Sequence, residues 1–255
     1  MSLARKHRER TLARQTASAP ALGSGHTSAR SSTDTAADRA ARQVELRLQH
    51  DLRRLKEIKA RDAKIAAKRQ MLPEYRDWCD GELEAGRMTV GNELGTSLAA
   101  EALPTMMVWS IDICDWARAL ELAAHILRFG LDMPARYNRD AATVLLEEVA
   151  DAALKIQAKG EAFPIGVLQE VEELTAGIDM HDEPRAKLVK ALGTEMLRAI
   201  DALEPGTSQH LATASLALCT LQRAHGLHDR VGVKDKIKLL EKILAPPAKP
   251  AASAA

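Results

Sequence analysis

The sequence contains few cysteines and no long apolar run, and both shortages limit the kind of protein it can be. Its three cysteines, Cys79, Cys114 and Cys219, lie far apart and form no CxxC pair. An odd number without a framework spacing excludes a disulfide-stapled secreted domain and indicates a reducing compartment. No uncharged apolar stretch approaches the ~18 residues that a membrane-spanning helix needs, and no run of signal-peptide length follows the basic N-terminus. We therefore expect a soluble intracellular protein without a membrane partner.

Signals for β-strands are missing as well. Valine, isoleucine and aromatic residues never alternate at period two over a useful length. Helix-forming segments follow one another instead, with Gly130 and Gly160 as natural helix ends and Thr207 as a natural cap. The predicted fold is all-α, with a flexible N-terminal arm, a long basic coiled-coil-like helix and a multi-helix body of packed helical hairpins.

Composition divides the chain into four predicted segments. Residues 11–38 are rich in Ser, Thr, Ala and Gly and nearly empty of large apolar side chains. Such a segment cannot bury enough surface to offset the entropy of ordering, so residues 1–38 are predicted to form a flexible low-complexity arm. The remaining segments are a basic heptad helix (39–72), an acidic all-helical body (73–244) and a disordered tail (245–255).

The formal net charge of +1 conceals a strong asymmetry along the chain. Residues 1–72 contain 17 Lys or Arg and 7 Asp or Glu, whereas the remainder contains 19 and 28. Such asymmetry is typical of a basic segment that binds a polyanion, attached to a body with another task; a merely solvated basic helix is the alternative. The residues predicted to contact DNA phosphates are Arg53, Arg54, Lys56, Lys59, Arg61, Lys64, Lys68 and Arg69.

Apolar residues in the same segment follow a 3,4 heptad spacing from about Ala37 to Leu72, with no internal Gly or Pro. This pattern predicts one continuous helix with a coiled-coil seam, interrupted by polar residues that can fix register. An amphipathic helix packed on its own domain is the alternative interpretation. The residues predicted to mediate oligomerisation are Val44, Leu48, Leu55, Ile58 and Ile65.

No catalytic constellation is recognisable. The sequence contains no Walker loop, no Ser-His-Asp set and no Gly-rich cofactor turn, so we expect no cofactor, no metal ligands and no identifiable catalytic residue. Glu147, Glu148 and Asp151 cluster on one predicted helix. Two-metal nucleases need carboxylates that converge from different elements, and we therefore expect these three to belong to a solvated or partner-facing surface.

Several long segments resemble a known family. "AAKRQMLPEYRDWCDGELEAG" and "MMVWSIDICDWARALELAAHILRFGLDMPARYNRDAATVLLEEVADAAL" are similar to the small terminase subunit (M protein) of temperate, contractile-tailed bacteriophages. "DMHDEPRAKLVKALG" and "LQRAHGLHDRVGVKDKIKLLEKIL" also resemble it. The resemblance covers roughly residues 40–245 and consists of a run of family-like segments.

The resemblance implies a role in viral DNA packaging within the host cytoplasm. Small terminase subunits recognise the cohesive-end region of phage DNA, assemble as homo-oligomers and pass the DNA to the large subunit, which carries the ATPase. The expected partners are thus double-stranded viral DNA, the terminase large subunit and further copies of this chain. Because the M protein is traditionally called the endonuclease subunit, an intrinsic endonuclease is the alternative. A helical protein-binding scaffold without DNA contact is the second alternative.

Overall fold

The computed structural model describes residues 2–17, 35–94, 97 and 99–245, and these form helices joined by turns and loops, with no strand among them. The all-α prediction is confirmed. None of the described helices is both long and apolar enough to cross a bilayer. The helices are α1 (Leu3–Ala17), α2 (Ala36–Glu57), α3 (Arg61–Met71), a 3-10 turn (Leu72–Glu74), α4 (Arg76–Met88), α5 (Ala102–Asp112), α6 (Trp116–Phe129), α7 (Ala141–Ala158), α8 (Ile165–Thr175), α9 (Asp182–Ile200), α10 (Ser208–Leu227) and α11 (Lys234–Leu244).

The chain forms two compact units, residues 1–145 and 146–255, and the division lies within α7. It does not coincide with the division at Pro73 that the charge asymmetry suggested. The reason is packing, because α2 and α3 both contact α5 and so belong to the same unit as the first part of the acidic segment.

The first unit is organised around α5. Every residue of α5 from Ala102 to Ile111 is buried, as expected of a helix that is apolar on all sides. It packs against α6 and also contacts α2 and α3. Tyr75 meets Trp109 of α5 edge-on, with 6.1 Å between the ring centroids.

The N-terminal end of the chain differs from the predicted arm. Residues 3–17 form α1, which packs against α4 and α2. The contact with α4 depends on small residues, since a Cβ on Gly81 of α4 would meet the carbonyl oxygen of Arg10 and would lie 2.7 Å from Cβ of Ala13. The rest of the predicted arm, residues 18–34, and residues 246–255 of the predicted tail lie outside the described residues.

The helix predicted to run unbroken from Ala37 to Leu72 is interrupted. α2 ends at Glu57, the backbone is extended at Ile58 and Ala60, and α3 begins at Arg61. No Gly or Pro marks the break. The interruption is compatible with the packing of α3, which contacts α5 and buries its own Ala67 and Met71; this burial compensates for lost helical hydrogen bonds.

The second unit packs α9 against α10, α10 against α11 and α8 against α9. Gly193 of α9 allows close approach to Leu221 of α10, whose Cγ would lie 2.7 Å from an added Cβ. Glu195 is buried, and it accepts hydrogen bonds from Gln157 Nε2 (2.7 Å) and the backbone N–H of Phe163 (3.2 Å). The predicted cap at Thr207 is confirmed, because its side chain accepts from the His210 N–H.

Candidate nucleic-acid interface

Most of the basic residues predicted to contact DNA are exposed around the junction of α2 and α3. Arg53, Arg54 and Lys56 are exposed near the C-terminal end of α2, and Lys59 is exposed in the connector. On α3, Arg61 and Arg69 are exposed and Lys64 is half-buried. We call these seven residues the basic cluster.

Ion pairs within the described part of the chain do not neutralise the positive charge of the basic cluster. Among the described residues, no carboxylate forms an ion pair with a member of the cluster. Charged groups of one sign on a surface raise the local concentration of a polyanion and accelerate its association. The cluster is therefore available to an external ligand of negative charge.

Lys68 does not share this availability. Its ammonium group forms an ion pair with the carboxylate of Asp112 at the end of α5, and both side chains are largely shielded from solvent. Removing one partner of a shielded pair leaves the other charge uncompensated, which costs stability. We therefore assign Lys68 to the packing of α3 on α5 rather than to the basic cluster.

The backbone at the junction stabilises this arrangement of charge. Arg54 and Lys56 lie in the last turn of α2, where the carbonyl end of the helix favours cations. Asp62 lies in the first turn of α3, where the N–H end favours an anion. The end of α2 and the beginning of α3 thus bring basic side chains together at the connector.

The residues of the predicted seam are largely covered by the chain itself. Val44, Leu48 and Leu55 are buried, whereas Ile58 and Ile65 are half-buried. α2 contacts α1, α3 and α5 within the first unit. This burial favours the second interpretation of the heptad pattern, an amphipathic helix packed on its own domain; self-association through the seam stays a prediction.

The carboxylates considered for metal chemistry do not converge. Across the described ranges, no three His, Cys, Asp or Glu side chains lie close enough together to hold a metal ion. Asp151, one of the three carboxylates on α7, faces Lys187 at 3.9 Å. In the first unit, Asp51 of α2 accepts a hydrogen bond of 2.8 Å from the Tyr75 hydroxyl. Burial and this hydrogen bond to Asp51 raise the pKa of Tyr75, so the phenol stays protonated and holds α2 against the start of α4.

Comparison with known proteins identifies the family. Residues 45–183 match the family described as the phage small terminase subunit. This chain belongs to that family. It is also 38% identical over 213 residues to a protein of Escherichia phage P2 named "Terminase, endonuclease subunit", with 84% of this chain and 78% of the relative covered. No solved structure matches the chain.

The segment shared with the small terminase family bears on the interface. It begins at residue 45, within α2, and so contains the whole basic cluster, the connector and the α5–α6 pair. α1 lies outside it. The sequence resemblance to small terminase subunits is thereby confirmed, and the charged junction is part of the region that the family match covers.

Proposed function

We propose that this chain binds double-stranded viral DNA near the cohesive-end site and directs its cleavage and packaging by the large, ATP-hydrolysing terminase subunit in the host cytoplasm. The observation that carries the proposal is the basic cluster, a set of seven exposed or half-exposed cations without carboxylate partners among the described residues, in a member of the small terminase family. Lys and Arg bound to phosphates displace condensed counterions, and this supplies sequence-independent affinity.

Contacts to phosphates position a protein on DNA but carry no sequence information. Recognition of one site must come from contacts to base edges or from DNA shape read by several subunits. Homo-oligomerisation therefore belongs to the proposal, because repeated weak contacts on one duplex add in avidity. Native mass spectrometry with and without packaging-site DNA reports both the number of copies and their binding.

The decisive experiment removes three charges that no described residue neutralises. Arg53→Ala/Arg54→Ala/Lys56→Ala should lower the slope of log affinity against log salt by about 2.7, since each phosphate contact contributes roughly 0.9. The matched control is Lys155→Ala/Lys159→Ala/Lys238→Ala, which removes three exposed lysines from the second unit and leaves the same net charge. Equal slopes for the two variants, or full-length protein that does not retard DNA at low salt, would contradict the proposal and favour a protein-binding scaffold.

An intrinsic endonuclease is the second candidate, and the name of the phage P2 relative favours it. The test is incubation of the purified chain alone with supercoiled DNA that carries the packaging site and Mg²⁺. Nicking that Glu147→Gln/Glu148→Gln/Asp151→Asn abolishes would support cleavage by this chain. Cleavage that requires the large subunit would assign the reaction to the complex.

A further inference from the structure

A second basic surface lies between α1 and the first half of α2. The two helices enclose a groove of about 350 Å³. Among the described residues, four arginines and one carboxylate line it. Its polar lining is Arg5, Arg8 and Glu9 from α1 with Arg39, Gln43 and Arg47 from α2; we call it the basic groove.

Glu9, the carboxylate that the described residues contribute to the basic groove, is already engaged. Arg47 approaches Glu9, with 3.4 Å between Nη1 and Oε1, and the same nitrogen donates to the carbonyl oxygen of Glu74 at 2.6 Å. The guanidinium also lies 5.6 Å from the centre of the Tyr75 ring. Arg47 and Glu9 thus form a fixed, largely neutral floor, and they do not offset the charge of Arg5 and Arg8.

Contacts on another side of α1 fix the orientation of its remaining arginines. Arg10 pairs with Asp80 of α4 at 2.9 Å, and Arg14 pairs with Glu84 at 3.3 Å. These pairs anchor α1 on α4. Arg5 and Arg8, one helical turn apart, stay exposed in the groove, and no carboxylate among the described residues pairs with either of them.

We propose that the basic groove binds the phosphodiester backbone of DNA, as a second phosphate-binding surface beside the basic cluster; this rests on the proposed function. Guanidinium groups recognise phosphate through paired N–H donors. Arg39, Gln43 and Arg47 form the α2 wall of the basic groove, about 12 Å long at 1.5 Å rise per residue, and Arg5 and Arg8 on α1 supply the guanidinium groups for phosphate. Arg39 and Arg53 are about 20 Å apart along the same helix, so one duplex, whose turn is about 34 Å long, can meet both surfaces.

The test uses the full-length chain and DNA of arbitrary sequence. Arg5→Ala/Arg8→Ala should lower the salt slope of binding by about 1.8, the contribution of two phosphate contacts. Arg5→Lys/Arg8→Lys keeps the charge and should keep the slope of the unmodified chain. Lys155→Ala/Lys159→Ala removes two exposed lysines, one in the last turn of α7 and one in the turn that follows it, and matches the alanine variant in net charge.

Three results would overturn this inference. The first is an alanine variant whose slope equals that of the Lys155/Lys159 control. The second is a lysine variant that loses as much slope as the alanine variant, which would assign the effect to displacement of α1. The third is an unmodified chain that does not bind DNA, which would contradict both this inference and the proposed function. If the unmodified chain binds DNA and only the Arg53/Arg54/Lys56 variant loses slope, the basic groove is contradicted and the proposed function is not.

Discussion

Glu82 is a carboxyl group enclosed in the first unit. Only 5% of the residue is exposed, and Trp78 Nε1 donates to its Oε1 at 2.9 Å. Among the described residues, no Lys, Arg or His forms an ion pair with it. Burial raises the pKa of Glu82 to about 8, and hydrogen bonds from Trp78 and Ser97 only partly oppose this rise. The side chain is therefore protonated in the folded protein at neutral pH.

This protonation predicts that the folded state loses stability as the pH rises. Between the ordinary value of 4.5 and about 8, the folded chain holds a proton that the unfolded chain has released. Stability is thus greatest below pH 4.5 with respect to this group, and it falls by at most about 1.4 kcal/mol per pH unit until pH 8. Glu82→Gln keeps a carbonyl oxygen for Trp78 and should flatten the decline in urea-unfolding free energy. Glu93→Gln, which changes an exposed glutamate of the same unit, is the control, and equal pH profiles for both variants would contradict the assignment.

At the scale of elements, the contact between α1 and α4 depends on the missing side chain of Gly81. An added Cβ would meet the Arg10 carbonyl and Ala13, so Gly81→Ala should force α1 away and destabilise the first unit by about 1–3 kcal/mol. Gly166→Ala is the matched control, because nothing lies within 4 Å of a Cβ there and helical alanine should add roughly 0.5–1 kcal/mol. Urea unfolding measures both changes. A stabilised Gly81→Ala variant would show that α1 does not pack as described.

The seam of α2 predicts a stability effect of the same kind. Leu55 is buried within the first unit, so Leu55→Ala should lower the free energy of unfolding by about 2–5 kcal/mol at any protein concentration. Leu46→Ala is the control, since that side chain is 64% exposed on the same helix, and its change should be within about 0.5 kcal/mol. Sedimentation of the two variants distinguishes burial within the chain from self-association. If Leu55→Ala dissociates an oligomer and leaves the free energy of unfolding unchanged, the coiled-coil interpretation of the seam is correct.

These two helices show how far the sequence could predict the fold. The heptad spacing identified the apolar face of α2 correctly, but a periodic pattern cannot specify whether the chain itself or another copy covers that face. α1 was not predicted because the residues it buries include Ala13 and Ala17 and no large apolar side chain. In addition, Gly81, which allows α1 to approach α4 closely, lies far from α1 in sequence. The break at Ile58 accompanies the packing of α3 on α5, a tertiary contact that the local sequence does not signal.

For the candidate site, charge alone located the basic cluster but could not separate its members. Lys68 and its neighbour Arg69 are both basic, but Lys68 forms an ion pair with Asp112, a partner that no spacing rule connects to it. The same holds for Arg39 and Arg47, which join the basic groove through the position of α1. Ion pairs and grooves depend on tertiary contacts, so sequence reasoning can nominate basic residues but cannot state which remain available.

At the scale of the whole molecule, the two compact units differ in the sign of their net charge. The first contains 23 Lys or Arg and 19 Asp or Glu, and the second contains 13 and 16. Both basic surfaces lie in the first unit. The second unit has its own core, which includes Val189, Leu221 and Leu240, together with the buried hydrogen bonds of Glu195. A unit with a separate core has the main requirement for folding by itself.

The last prediction concerns this autonomy. The fragment 141–255, which keeps α7 whole, should be helical and unfold cooperatively on heating, because the core that joins α9, α10 and α11 is contained in it. It should not retard DNA at low salt, since it lacks the basic cluster and the basic groove and carries excess negative charge. Circular dichroism and gel retardation measure the two properties independently. A fragment without a melting transition would show that the second core needs the first unit. A folded fragment that binds DNA as tightly as the full chain would show that the nucleic-acid interface lies in the second unit and not in the first.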